Sequence, residues 1–530
     1  TQSATGRATV SQGQSFRKKT TVTNNAALAY KFKGRLWEAE AGVNWSKSKG
    51  SYPLKNFESL NTSLVNPDLA NSTAVTTRFE SAGSPFPAPD QITVTGTAGT
   101  PIDPFLASSY RVNSARIRPV EGTDSFRGVN VKARRFLDFL PFYNAIKVGG
   151  EIRTQVRDVK AWQQDFNFNG INGSTNAAPF LDTSYAGEDN GFGFSGIQWI
   201  SPYEAWEAYQ ADPSLFTSNA GQVLSARKFY LQNSQRIQET VTAAFIQHEI
   251  KLMDNRLNIV YGVRYEKTED KGEGLKTSLP PQPTPPATDP VDTLEEVEQY
   301  WFERGSRVTK DYDGFYPSIN ANFTLTEDTI IRAGFAKTFG RPNFSNIIPL
   351  NRGNDTALDV NDGIGNINEY TVIVRNTSLK PYDADNYDLT IEHYLPKAGL
   401  VSVRGFLKDI VNFTYSATRP ITAQDFVDYQ IEGVDQSVLL ANNGQLQSTF
   451  NSAEAARLTG IELTYRIAEL PYIPTSFGRF GFFASYTNQH ASGAGADNFT
   501  NFAPRLINAR LNYNKAKFSA PIAWNYTPLR

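Results

Sequence analysis

The chain has 530 residues, with 52 Lys and Arg against 53 Asp and Glu, so its formal charge is -1. That balance lacks the basic surplus expected of a nucleic-acid binder, and the absence of cysteine excludes thiolate metal sites, cysteine nucleophiles and a disulfide scaffold. There is no run of about twenty apolar residues, so no membrane-spanning helix is expected.

Read in chain order, the pattern is one of paired, alternating strands. About fourteen are expected, at 19–32, 35–49, 123–137, 145–160, 236–252, 256–270, 311–325, 328–340, 382–395, 399–415, 449–468, 476–490, 501–513 and 517–525. The arm beginning at 256 shows the unit. Leu257, Ile259, Tyr261, Val263 and Tyr265 fall on one side, Asn258, Arg264 and Glu266 on the other, a period of two with opposite chemistry on the two faces. Phe323 and Leu463 extend the apolar face, and Asn322 and Glu462 the polar one. Strands this long exceed the usual five or six residues of soluble sheets and fit the nine to eleven needed to cross a bilayer. Lipid offers no partner to an unpaired amide, so a spanning sheet must close. The expected fold class is therefore all-β, a transmembrane antiparallel β-barrel. The mean hydropathy of -0.42 does not oppose this, because every second residue of a barrel strand is polar, and 35 Phe and 24 Tyr could supply aromatic girdles.

The connections sort into two kinds. Short turns at 33–34, 253–255, 326–327, 396–398 and 514–516 alternate with long irregular segments at 50–122, 161–235, 271–310, 341–381 and 416–448. Barrels of the bacterial outer membrane keep short turns inside and long loops outside, which assigns the long segments to the extracellular face. Pro280 to Pro290 reads as a polyproline-like stretch, and Trp199 to Tyr209 as a short amphipathic helix.

Several stretches resemble the barrel of TonB-dependent outer-membrane receptors. They are the segment from Lys337 to Phe344 (KTFGRPNF), with its Thr-X-X-Arg-Pro-X-Phe turn, the hairpin from Leu379 to Phe413, the Gly460-Ile461-Glu462 strand signature, and a late hairpin from Phe502 to Tyr526. Together they cover about 40% of the chain. The resemblance implies a 22-stranded barrel with long extracellular loops. It also implies an energy-coupling complex that acts on a plug domain to release a bound nutrient. Because no plug, coupling box or leader is visible here, residues 1–530 are expected to be a partial barrel domain, with the plug and terminal strands outside it.

No enzyme signature emerges, and no cofactor is expected. His248, His393 and His490 are scattered over strands, where pore or interface roles suit them better than metal binding. Asp355, Asp359 and Asp362, in an oxygen-rich segment without EF-hand glycine spacing, are a minor calcium candidate. Trp162, Trp199, Tyr203, Trp206 and Trp301 lie in or beside the long segments. There they could stack on a flat ligand, or they could simply pack the loops together. Arg153, Arg157, Arg264, Glu266 and Arg466 are expected to line the lumen, either along the translocation path or paired with one another or with the plug. The leading functional expectation is active import of a siderophore, oligosaccharide, cobalamin-like molecule or peptide, with outer-membrane lipid as surroundings. A passive porin and a non-transport surface barrel are the alternatives.

Overall fold

The computed structural model describes residues 3–52, 54–80, 88–185, 188, 194, 196–277, 293–349, 351–354, 371–376, 378–396, 398–429, 431, 436–441, 444–471, 473–499 and 502–528. The proline-rich stretch 280–290 and the calcium candidates Asp355, Asp359 and Asp362 lie outside the described residues.

Fourteen long strands form one antiparallel meander, each pairing with the next in sequence. They are β1 (Thr20–Lys33), β2 (Trp37–Tyr52), β3 (Val120–Phe136), β4 (Asn144–Ala161), β5 (Gln235–Leu252), β6 (Leu257–Thr277), β7 (Trp301–Thr326), β8 (Thr329–Gly340), β9 (Tyr382–Leu395), β10 (Gly399–Val411), β11 (Ala456–Ile467), β12 (Arg479–Ser492), β13 (Arg505–Lys515) and β14 (Phe518–Tyr526). Among the described residues, β1 pairs along its length only with β2, and β14 only with β13. All 14 residues of β1 are exposed, whichever face they point to, as expected of a strand with one unpaired edge. No helix among the described residues is long and apolar enough to cross a membrane.

The register keeps the two chemistries apart. Ile391, Val403, Leu463, Tyr486, Ile507 and Tyr526 follow one another across six strands. Leu28, Val43, Val129 and Ile152 do the same across β1 to β4. These side chains are exposed or half-exposed although apolar; Leu28 keeps 72% of its surface and Ile152 55%. On β6 the apolar run from Leu257 to Tyr265 covers nine residues, which is about 30 Å of strand and about 23 Å of height at a tilt near 40°. Above Tyr265, which packs on Phe315 with ring centroids 5.1 Å apart, the same face turns to Lys267, Glu269 and Lys271. Lys267 pairs with Asp311 at 2.8 Å, and Lys271 with Glu269 at 2.8 Å.

The expected boundaries move in three places. β6 continues well past 270 and β7 begins before 311, pairing from Thr277 with Trp301 down to Leu257 with Phe323. Ladder bonds need no apolar face, so a hairpin can rise beyond its hydrophobic band. The strand expected over 399–415 breaks after Val411, where Asn412 adopts a left-handed backbone with φ 63°. The strand expected over 449–468 is interrupted between Asn451 and Ala456. The freed pieces, Thr414–Pro420 and Gln445–Asn451, pair with each other instead.

The largest departure from expectation is in the long segments 50–122 and 161–235, which are not irregular. They fold together as a cap. Strands Gly13–Ser15, Ser59–Leu64, Tyr110–Ile117, Gln164–Phe168 and Phe216–Thr217 make a five-stranded sheet. Its buried core includes Phe57, Leu60, Leu64, Tyr110, Phe180, Ile200 and Phe216. The expected helix near 199–209 is present as α1 (Pro202–Ala211). Ser201 caps it by accepting from the Glu204 amide, and Pro202 sits in its first turn.

Candidate functional site

Two regions are candidates: the charged face of the meander and the cap. On the charged face, β4, β5 and β6 bring ions of both signs into one lattice. Arg264 Nη2 lies 2.7 Å from Glu151 Oε1 and 2.6 Å from Glu266 Oε2. Arg153 lies 3.7 Å from Glu151. Arg157 makes two bonds to Asp124, at 3.0 and 2.7 Å, and its guanidinium stands 5.4 Å from the Phe344 ring. Four of the five residues expected on the lumen wall therefore sit in one neighbourhood. Arg466 also lies on the charged face but far along the sheet, beside Arg510 and Asn512 in a cleft of about 930 Å³.

The lattice centres on Arg341. This residue follows β8 and begins a strap, residues 341–349, that lies over the charged face of β6. Arg341 pairs with Glu266 and, at 3.4 Å, with Glu239. The strap is closed by apolar packing of Ile347 and Ile348 on Ile237 and Leu379. Its seat requires glycine: a Cβ on Gly274 would come within 1.8 Å of the Pro349 carbonyl oxygen, and one on Gly272 within 2.4 Å of Pro349 Cδ. Beneath it, Glu266 and Thr268 are 5% and 1% exposed. A second group on this face joins Arg404 to Asp388 at 2.9 Å and to Glu462 at 3.0 Å.

In the cap, the five aromatic residues singled out from the sequence fall into different settings. Trp206 is turned into the core, 5.2 Å from Phe57 and 5.3 Å from Tyr209. Tyr203, also on α1, packs on Phe16 at 4.8 Å and keeps 38% of its surface. Trp199 is half-buried, and its carbonyl accepts from the Asp182 amide. Trp301 belongs to a separate cluster with Leu231, Leu275 and Val297, with Lys228 over its ring. Trp162 stacks on Tyr230 of α2 (Ala220–Asn233), with centroids 5.1 Å apart and planes 26° apart. Helical spacing puts Tyr203 and Trp206 on neighbouring faces of α1, and tertiary packing half-buries the larger of the two against the core. Tyr110 illustrates the dryness of the cap core: burial, with the Asp103 carboxylate nearby, pushes its hydroxyl up to about 12. It stays protonated and donates to the Pro104 carbonyl at 2.7 Å.

The sequence matches the family described as TonB dependent receptor-like, beta-barrel, over residues 130–529. The chain belongs to that family. No curated protein matches it. Among solved structures it is similar to the alcaligin outer-membrane receptor FauA from Bordetella pertussis, with 10% identity and a TM-score of 0.42, over 95% of this chain and 60% of that one. The ferric citrate transporter FecA in its unliganded form matches with 10% identity and a TM-score of 0.43, over 96% and 58%. The ferric preacinetobactin receptor BauA from Acinetobacter baumannii matches with 8% identity and a TM-score of 0.39, over 92% and 52%. The chain thus spans between 52% and 60% of the length of these three structures.

In this TonB dependent receptor-like wall, the residues that sequence reasoning did not select are Arg341, Glu239, Arg404 and Asp388. A signal for Arg341 was available, because it is the arginine of the Thr-X-X-Arg-Pro-X-Phe turn. Glu239 had none, since its partner lies about a hundred residues away. A further charged anchor holds the helix Ala423–Asp428, where Arg419 donates to Asp425 at 2.8 and 2.5 Å and Thr422 donates at 2.7 Å from both its amide and its hydroxyl. Burial alone would raise the Asp425 carboxyl, but the bonds from Arg419 and Thr422 outweigh it and hold it below the ordinary carboxylate range. A depressed folded-state value stabilises the helix at pH above the unfolded carboxylate range, about 4. That contribution is lost as pH falls through the folded value. Amide exchange in this helix, corrected for intrinsic rates, is expected to accelerate below about pH 4, and Asp425→Asn to abolish the extra acceleration. Identical profiles for the two proteins would refute the coupling.

Proposed function

We propose that this chain supplies much of the wall and the outer cap of an outer-membrane receptor that imports a scarce nutrient, with energy delivered by the TonB complex through a plug domain. In this reading the apolar face meets lipid, the charged face lines the lumen, and the long-loop end carrying the cap faces the exterior. The observation that carries it is the sorting of the meander: an apolar band about 23 Å tall on one face and a lattice of ion pairs on the other, the most buried of them under the strap, within a family match over residues 130–529. Further strands pair with the open edges of β1 and β14 to complete a 22-stranded barrel, because free edges in lipid would leave backbone groups unsatisfied. The nutrient belongs to the class of siderophores, oligosaccharides, cobalamin-like molecules or peptides. Tyr203 and Trp162 are the aromatic residues still accessible to it, and Arg153, Arg157, Arg264, Glu266 and Arg466 line its path.

Cells carrying the full-length receptor should take up one such nutrient only while the inner-membrane proton gradient stands. Collapsing the gradient should stop uptake within minutes and leave surface binding intact. Uptake that continued unchanged without the gradient would identify a passive porin and defeat the proposal.

A further inference from the structure

The flank formed by β1 to β4 carries an ordered strip of chemistry of which the import reading uses only Trp162. Register places it row by row on the apolar face. The lowest row considered is Leu28, Val43, Val129 and Ile152; the next is Ala26, Trp45, Arg127 and Thr154; then come Asn24, Lys47, Ser125 and Val156; then Val22, Lys49, Thr123 and Asp158; and finally Thr20, Ser51, Glu121 and Lys160. Rows are about 6.6 Å apart along a strand, and neighbouring strands about 4.8 Å apart. Arg127, Lys47 and Lys49 are all exposed, and among the described residues none of the three has a carboxylate within ion-pair distance. These rows hold two acids: Asp158, already held by Arg304 at 2.6 Å, and Glu121, one row above Lys49 on the next strand and outside ion-pair distance of it. Lys267 on β6, by contrast, is matched by Asp311. Three unmatched cations beside an interfacial tryptophan, directly above an apolar surface, favour an anion placed at the edge of the hydrocarbon.

Immediately above the top row lies a cleft of about 880 Å³ bordered by Ser51, Glu121, Trp162, Gln163, Gln164 and Tyr230. The stacked Trp162 and Tyr230 rings offer a flat apolar shelf, with Trp162 37% exposed, among amide and carboxylate groups that can meet hydroxyls. Rising from the bilayer, the order is therefore alkyl surface, cations, then an aromatic and polar cleft.

We infer that this flank docks one phosphorylated glycolipid of the outer leaflet, with acyl chains on Leu28, Val43, Val129 and Ile152, phosphates on Arg127, Lys47 and Lys49, and sugar rings in the cleft at Trp162. The inference rests on the outer-membrane reading given above. Its occupant is fixed by the vertical match of all three chemistries. A free sugar phosphate would leave the alkyl surface unused, and a plain phospholipid would leave the cleft unused.

The test uses the full-length receptor purified in detergent, with rough-type lipopolysaccharide, its dephosphorylated form and lipid A as probes, and native mass spectrometry as readout. The wild type is expected to retain one phosphorylated glycolipid. The variant K47Q/K49Q/R127Q should lose affinity by roughly tenfold to a hundredfold, whereas K47R/K49R/R127K should retain it. Arg135→Gln should change nothing, since Arg135 is on the same face at the short-turn end, beside Trp37. Trp162→Ala should weaken binding of lipopolysaccharide but not of lipid A. Equal retention by the glutamine variant, or equal binding of the dephosphorylated lipid, would overturn the inference. Cell fractionation separates this from the parent reading. A protein absent from the outer membrane defeats the proposed function, whereas one present there whose glutamine variant still holds the lipid defeats only the docking site.

Discussion

Replacing Phe57 by Ala is expected to unfold the cap while leaving the wall standing. Phe57 is fully buried, and its ring lies 5.8 Å from Phe166, 5.2 Å from Trp206, 5.6 Å from Tyr209 and 4.8 Å from Phe216. Phe57 belongs to segment 50–122 and these four partners to segment 161–235, so the ring sits at the junction of the two stretches, beside the pairing of Tyr110–Ile117 with Gln164–Phe168. Truncating a buried Phe costs about 3 to 5 kcal/mol, a large part of the 5 to 15 kcal/mol typical of a whole domain. The core of the cap is small. The wall draws on other interactions, chiefly the ladders of fourteen strands, none of which contains residue 57. Hydrogen exchange followed strand by strand should show protection lost at Tyr110–Ile117 and Gln164–Phe168 and kept at β5 and β6. Protection lost everywhere would mean that cap and wall fold as one unit. Protection kept in the cap would mean that its core tolerates the cavity.

Replacing Arg341 by Gln is expected to release the strap. Arg341 is the cation shared by Glu239 and Glu266, whose side chains are 11% and 6% exposed. Breaking a buried pair by removing one partner costs about 3 to 5 kcal/mol, because the remaining charge is uncompensated. Arg264 still pairs with Glu266 at 2.6 Å, so the main loss falls on Glu239. Gly274→Ala reaches the same end without touching a charge, since its methyl would overlap the Pro349 carbonyl. Both variants should raise exchange at residues 341–349 and increase access of a water-soluble reagent to a cysteine placed at Thr268. If R341Q freed the strap but G274A did not, the seat would be looser than the geometry implies. If neither did, the apolar cluster of Ile237, Ile347, Ile348 and Leu379 would be sufficient to hold it.

The wall strands were legible in the sequence because each carries its own evidence. An alternation such as Leu257, Ile259, Tyr261, Val263 and Tyr265 is a local property, visible whatever the strand pairs with. All fourteen strands are found, and the short turns fall where expected; Met253, Asp254 and Asn255 all take left-handed backbones in one of them. Strand ends were less legible. The hairpin of β6 and β7 outlasts its apolar face, and Asn412 breaks a strand that alternation alone would have carried on. The family motif contained Arg341, but nothing in it indicated that this side chain would be the shared partner of Glu239 and Glu266.

The sequence by itself determined the class of fold, the two faces of each strand, and the sorting of connections into short and long. Period-two patterning, chain length and turn chemistry act over a few residues, and they can be read without knowing what lies across space. Only the tertiary structure decided that the long segments form a cap, that Trp206 packs against its core while Trp162 is a shelf, and that the strap covers Glu266. It alone also showed that Arg127, Lys47 and Lys49 share one unmatched patch. Each of these depends on contacts between residues tens to hundreds of positions apart, where burial and charge pairing are set by neighbours that no local pattern names.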